Sequence, residues 1–169
     1  MSPTPTPTPT PAPAPMNSCV LLRTTAAGQT EVLLGVKKTG FGRGKVVGPG
    51  GKIEAGESAA ESTAREVKEE TGIVVAAGDL REAAVLTFRF PARPAWDLRM
   101  WVFVGERFAG EAVESDEIAC RWIPVDGIPW AEMWDDARLW LPRVLAGEHV
   151  VAEITFADDG ERVASARYE

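Results

Sequence analysis

Hydrophobic and polar positions alternate with period two in several stretches of this chain, and one stretch repeats at helical spacing instead. Between Leu80 and Phe90, Leu86, Phe88 and Phe90 alternate with Val85, Thr87 and Arg89, as a half-buried strand requires. Near the end, Val150, Ala152, Ile154 and Phe156 share one face, Asp159-Gly160 supplies a turn, and Arg162 to Tyr168 returns, which predicts a hairpin. Cys19 to Arg23 and Glu31 to Lys37 read as two strands joined by a turn around Ala26-Ala27-Gly28. Leu98 to Glu106 and the short Arg121 to Pro124 complete the strand set. The helical stretch has Ala60, Ala64, Val67 and Thr71 on one stripe. Ser58 is its N-cap, Glu61 completes a capping box, and Gly72 is its left-handed stop. A second helix is predicted from about Asp136 to Ala146, with Pro142 kinking it or marking a fresh start and Gly147 ending it. Strands on both sides of one well-formed helix, with a second helix late, predict an α+β fold with a mixed sheet between helices.

Composition narrows this picture. Residues 1–15 alternate Pro with Thr and then with Ala, which supports neither helix nor sheet and predicts an extended, solvated, passive tail. The folded domain is then expected over residues 16–169, a length suited to one domain. A hydrophobic fraction of 45% with six Trp supplies a packed core and excludes global disorder. The net charge of −7 argues against binding to polynucleotides, which select a basic face, yet leaves a small nucleotide whose phosphates meet metal ions. Cys19 and Cys120, far apart in apolar surroundings, predict two reduced core residues of a cytoplasmic protein, although a disulfide is open to them. No apolar run approaches a membrane span and no secretory signal is evident.

The chemistry concentrates on the first helix and the loop before it. Glu66, Glu69 and Glu70 stand at i, i+3 and i+4, so like charges crowd one side of a helix at a cost. Divalent cations relieve that conflict, and hard oxygen donors suit Mg²⁺ or Mn²⁺ rather than zinc. Taken alone, three acids on a helix read as a solvated face, with Arg65 paired to Glu61 or Glu69. The full spacing is more specific. Gly51, Glu57, Arg65, Glu66, Val67, Glu69, Glu70, Gly72 and Ile73 fill every defined position of G-x5-E-x7-R-E-U-x-E-E-x-G-U, where U is aliphatic. The stretch resembles the Nudix box.

That resemblance implies the α/β/α sandwich of Nudix domains, a loop-helix-loop box and hydrolysis of phosphoric anhydrides. It implies Glu66 and Glu70 as main metal ligands, Glu69 assisting, and Gly50 donating its carbonyl. Arg65 would orient the carboxylates, and Glu57 would close the loop on the helix. A broken box would mark a non-catalytic nucleotide-binding module; this box is intact.

A second acidic cluster, Glu114, Asp116 and Glu117, is by itself an ordinary acidic loop. Its surroundings from Ala112 to Pro142, with Leu33 to Gly44 and Thr87 to Phe90, are similar to the oxidised-purine nucleoside triphosphatases of the Nudix superfamily, which carry PVESDE and MWPDD. This likeness implies Glu117 beside the metal as a further ligand or base. It implies Lys37, Gly51 and Lys52 against the nucleotide, Phe88 and Trp134 flanking the purine, and Asp136 on its edge. Such a slot is physically sensible, since a flat base needs aromatic faces and discrimination needs an acid or amide at the edge. Two departures bear on the substrate. The family's Trp-Asn pair is here Val46-Val47, and the Asp-Asp pair after Trp134 falls on Asp136 and Ala137 without a gap, or on Asp135 and Asp136 with a one-residue slip. The expected activity is pyrophosphohydrolysis of 8-oxo-dGTP or 2-hydroxy-dATP by a monomer; unmodified nucleotides, ADP-ribose or dinucleoside polyphosphates are the alternative substrates.

Overall fold

The computed structural model describes residues 4–6 and 11–169. The tail expected over residues 1–15 therefore falls partly on residues 1–3 and 7–10, outside the described residues. At its other end it differs from expectation. Strand β1 spans Ala14–Thr24, two residues earlier than the boundary read from the sequence. The Ala14 N–H donates to Asp97 O at 3.1 Å and the Pro15 carbonyl accepts from Ile53 N at 3.1 Å, so the last residues of the Pro-Ala tract are held by the sheet.

Eight further strands follow: β2 Thr30–Lys37, β3 Val46–Val47, β4 Gly50–Lys52, β5 Leu80–Arg89, β6 Leu98–Gly105, β7 Ile118–Pro124, β8 Val150–Phe156 and β9 Val163–Tyr168. The main path runs β3-β2-β1-β6-β5-β8-β9, with β4 added to β1 and β7 to β2. The pairs β1–β6 and β5–β8 are parallel and the other pairs antiparallel, giving the expected mixed sheet. β7 starts at Ile118 rather than Arg121, because Lys37, Val36 and Gly35 of β2 pair with Ile118, Ala119 and Cys120. The short β3 and β4 carry no alternation that a sequence reading could detect.

Helix α1 (Ala59–Thr71) has the expected ends. Glu61 N donates to Ser58 Oγ and Ser58 N to Glu61 Oε2, while Gly72 takes φ 77° and donates to Lys68 O. Helix α2 spans Ala137–Leu145 and runs through Pro142 as one element, so that residue marks no fresh start. One absent N–H is offset there by burial of Trp140, Leu141 and Val144, each worth on the order of 2 kcal/mol.

The two helices lie on opposite faces of the sheet. Along β1, Cys19 and Leu21 pack with Val67 and Ile73 around α1, whereas Val20 packs in the larger cluster containing Trp140, Leu141 and Val144 of α2. Leu33 against Val32 and Leu34 repeats the division on β2. This is an α/β/α sandwich. Both cysteines are free, and burial pushes each thiol up to about 12. Among the described residues no helix is long and apolar enough to cross a membrane.

Candidate active site

The α1 face turned to the protein is polar as much as apolar, and it carries the site. Ser62, Thr63, Val67, Glu70 and Thr71 are the buried positions. Asn17 of β1, itself buried, donates to Ser62 Oγ at 2.9 Å, and Ser62 donates to Lys52 O at 3.2 Å. Asn17 also accepts from Gly51 N at 3.3 Å. These bonds fix β4 against β1 and the helix. A Cβ on Gly51 would lie 2.5 Å from Glu66 Oε1, so the bare glycine leaves the Glu66 carboxylate its present position. Gly50 N donates to Glu70 Oε2 at 3.1 Å.

Glu66 and Glu70, one turn apart, converge with Glu117 from the turn before β7, and one carboxylate oxygen from each lies within 4.8 Å of the others. Glu69 is not in that group. It points outward, 59% exposed, and accepts from Arg65 at 3.1 Å. Arg65 grips Glu57 with two bonds of 2.7 and 2.9 Å, a fork that planar guanidinium favours, and also reaches Glu66 Oε1 at 3.1 Å. It thereby ties the loop, the helix and one cluster member together. The Lys52 carbonyl accepts from Arg65 at 3.3 Å, but the Lys52 side chain is exposed and does not line the cavity.

Electrostatics marks the cluster as strained without a cation. Burial, opposed by the Gly50 N–H, and the neighbouring charges of Glu66 and Glu117 push Glu70 up to about 8. Burial also raises Glu66, with Arg65 opposing and Glu69 and Glu117 reinforcing. Arg65 holds Glu57 below the usual carboxylate range. Three convergent carboxylates, two of them reluctant to ionise, form an oxygen-only donor set that fits a hard divalent cation.

The same cavity, about 160 Å³, continues from Glu70, Glu117, Gly50, Gly51 and Lys37 to an aromatic region. Phe88 and Trp134 both line it. Asp136 lines it too and is buried; Trp140 Nε1 donates to its Oδ2 at 2.7 Å. Burial, partly opposed by that bond, pushes the Asp136 carboxyl up to about 6. Asp135 faces elsewhere, accepting from Arg138 at 2.8 Å and from Val163 N at 2.8 Å, with Arg138 holding it low. The cavity acid is thus Asp136, the residue common to both registers left open by the sequence, and Asp135 closes the hairpin against α2.

Phe41, Asn17 and Trp140 are among the lining residues that carried no expectation. Phe41 stacks on Trp134 with ring centroids 5.2 Å apart and 22° between planes, and the only sequence signal was an aromatic between Gly40 and Gly42. Asn17 and Trp140 gave no signal, since each acts only through a partner distant in the chain or one helical turn away. Val46 and Val47 line the cavity with apolar surface.

A carboxylate-bearing loop-helix-loop set into this sandwich, opening on a cavity, defines a hydrolase of phosphoric anhydrides. The family described as NUDIX domain matches residues 15–144, and the chain belongs to that family. It is 36% identical over 126 residues to the oxidized purine nucleoside triphosphate hydrolase of Danio rerio, covering 75% of this chain and 79% of that protein. The like-named Mus musculus protein is 34% identical over 128 residues, 76% of this chain and 80% of its own length. The fold is similar to the crystal structure of a mutator MutT protein from Bacillus halodurans, with a TM-score of 0.76 at 24% identity, covering 92% of this chain and 97% of that one.

Proposed function

We propose that this Nudix hydrolase is a Mg²⁺-dependent pyrophosphohydrolase of oxidised purine nucleoside triphosphates. Its substrates are 8-oxo-dGTP and 2-hydroxy-dATP, its products the nucleoside monophosphate and pyrophosphate, and its role the cleaning of the nucleotide pool. The observation that carries this reading is the single cavity lined by Glu70 and Glu117 and also by Phe88, Trp134 and Asp136. A purine triphosphate joins a flat aromatic body to a polyanion, and this lining offers a counterpart to each. The two relatives named for that activity support the same substrate class.

On this reading Glu66, Glu70 and Glu117 hold Mg²⁺, with Mn²⁺ as a substitute. The ion supplies charge neutralisation on the phosphates and a more acidic water. Arg65 keeps Glu66 in place, and the missing side chain of Gly51 leaves Glu66 its room. Lys37 adds positive charge along the cavity wall. Asp136 has Oδ2 engaged by Trp140, which leaves Oδ1 for the base edge. With its pKa near 6 it can present either a donor or an acceptor, and so serve more than one oxidised tautomer. The enzyme acts as a monomer in the cytoplasm on a small nucleotide.

One observation favours a second reading. Where the oxidised-purine enzymes carry Asn, the cavity here has Val47, so a polar edge contact is replaced by apolar wall. The alternative is the same chemistry on an unmodified nucleotide, ADP-ribose or a dinucleoside polyphosphate. Formation of the nucleoside monophosphate, separated by chromatography, from 8-oxo-dGTP, 2-hydroxy-dATP, dGTP, dATP and ADP-ribose at low concentration separates the two. A kcat/KM preference of about tenfold or more, roughly 1.4 kcal/mol, for an oxidised purine supports the first. A flat profile discards it and keeps the hydrolase.

A further inference from the structure

Two members of the carboxylate cluster share one rigid helix, but the third does not. Glu66 and Glu70 are spaced by α1, whereas Glu117 sits in the connection that leads into β7. Its distance from the other two depends on how that connection is held. Inside the turn, the Ser115 hydroxyl accepts from Glu117 N at 3.4 Å and from Ile118 N at 3.3 Å, and Ser115 N donates to Ile118 O at 3.1 Å. These bonds shape the turn without fixing it to the rest of the protein.

The Val113 N–H donates to Thr71 O at 2.9 Å and holds the start of the connection to the end of α1, while Lys38, the residue after β2, holds the part next to Glu117. Its backbone N–H donates to Glu117 O at 2.8 Å, its ammonium donates to Ser115 O at 2.8 Å, and the same ammonium pairs with Glu114. One residue therefore holds the turn at three points, Glu114 and Ser115 through its ammonium and Glu117 through its backbone. Lys37, its neighbour, lines the cavity and pairs with Ile118, so the clamp sits where β2 and β7 bring both walls together. We infer that Lys38 is a positioning residue that sets Glu117 against Glu66 and Glu70 and so tunes the affinity of the cluster for its cation. The inference rests on the reading of these three carboxylates as ligands.

The test compares the full chain with Lys38→Met, Lys38→Arg and Glu114→Gln. Free Mn²⁺ is followed by electron paramagnetic resonance, and melting is recorded in chelator. Partners that orient a ligand are worth about 10- to 100-fold in metal affinity, and Lys38→Met is expected at the low end, about tenfold weaker. Its melting temperature in chelator should stay within about 4 °C of wild type, because a solvent-facing ion pair contributes little to stability. Lys38→Arg should recover most of the affinity. Glu114→Gln, which keeps the Ser115 contact, should lose only about threefold, within the range of one exposed ion pair. The Mg²⁺ concentration for half-maximal turnover should rise in Lys38→Met, with turnover recovering at saturating Mg²⁺. Wild-type Mn²⁺ affinity in Lys38→Met, or equal losses in the Met and Arg variants, would overturn the role of Lys38 alone. Should Lys38→Met not fold, unchanged Mn²⁺ affinity in Glu114→Gln overturns it instead. A wild-type chain that binds no Mn²⁺ overturns the carboxylate reading, and the inference with it.

Discussion

Asp136 shows how much one buried carboxyl does here. Its Oδ2 is taken by the Trp140 indole, its surroundings are apolar, and its pKa rises from the ordinary 3.8 to about 6. The native state thus holds a proton that the unfolded chain releases near pH 4. This contribution to stability is fully present below pH 4, falls as pH rises through 6, and is level above that. Two pH units correspond to roughly 3 kcal/mol at 1.36 kcal/mol each, an upper figure for this group. Asn keeps an acceptor for Trp140 and cannot ionise. Urea unfolding of wild type and Asp136→Asn between pH 4 and 7 should show wild type losing ground to the variant as pH rises. A pH-independent difference would place the proton elsewhere. The same substitution removes the acceptor form at the cavity, so discrimination among purines should fall with it.

At the scale of elements, the box loop and α1 form one unit whose spacing is set by what Gly51 lacks. A methyl group on residue 51 would meet Glu66 at 2.5 Å from Oε1 and 2.6 Å from Cδ, closer than atoms tolerate. Gly51→Ala should swing Glu66 out of the cluster, weakening Mn²⁺ binding and lowering kcat about 100-fold, roughly 2.7 kcal/mol. The melting curve in chelator should move little, because Glu66 leaves a site strained by like charges. Calorimetric Mn²⁺ titration beside a thermal melt checks both halves. Much of this unit was legible from the chain. Ser58, Glu61 and Gly72 are local signals, and local hydrogen bonds satisfy them in the structure. The choice among the three acids was not legible in the same way. Glu66, Glu69 and Glu70 are chemically alike, and only the rotation of α1, set by burial of Val67 and Thr71, turns two inward and leaves the third to Arg65. Likewise nothing local separates Asp135 from Asp136. The bond from Val163 N, 28 residues away, captures the first, and burial beside Trp140 captures the second. Phe41 was hidden for the same reason, since its partner Trp134 is remote in sequence, and β3 and β4 are too short to carry a pattern.

Across the whole molecule, one sheet with a helix on each face puts the carboxylate cluster and the aromatic region into one cavity, and stability and function pull that cavity in opposite directions. Glu70 is buried beside two other acids, and without a cation its ionised form is disfavoured enough to titrate near 8. A cation that binds only the folded state stabilises it by RT ln(1 + [L]/Kd), about 2.7 kcal/mol at a hundredfold excess over Kd. For a chain of 169 residues that corresponds to a rise of roughly 5–10 °C in melting temperature. Saturating Mg²⁺ at pH 8 should produce such a rise relative to chelator. Glu70→Gln, which removes one charge and keeps an acceptor for Gly50 N–H, should melt higher than wild type in chelator, gain little from Mg²⁺ and turn over at least about 100-fold more slowly. Ca²⁺ separates binding from chemistry. It accepts looser oxygen coordination than Mg²⁺, so it should raise the melting temperature of wild type while supporting little hydrolysis. Turnover in Ca²⁺ equal to that in Mg²⁺ would mean that the three carboxylates do not hold their ion in the near-octahedral geometry Mg²⁺ demands. No melting shift with either ion would mean that the raised Glu70 reflects burial alone.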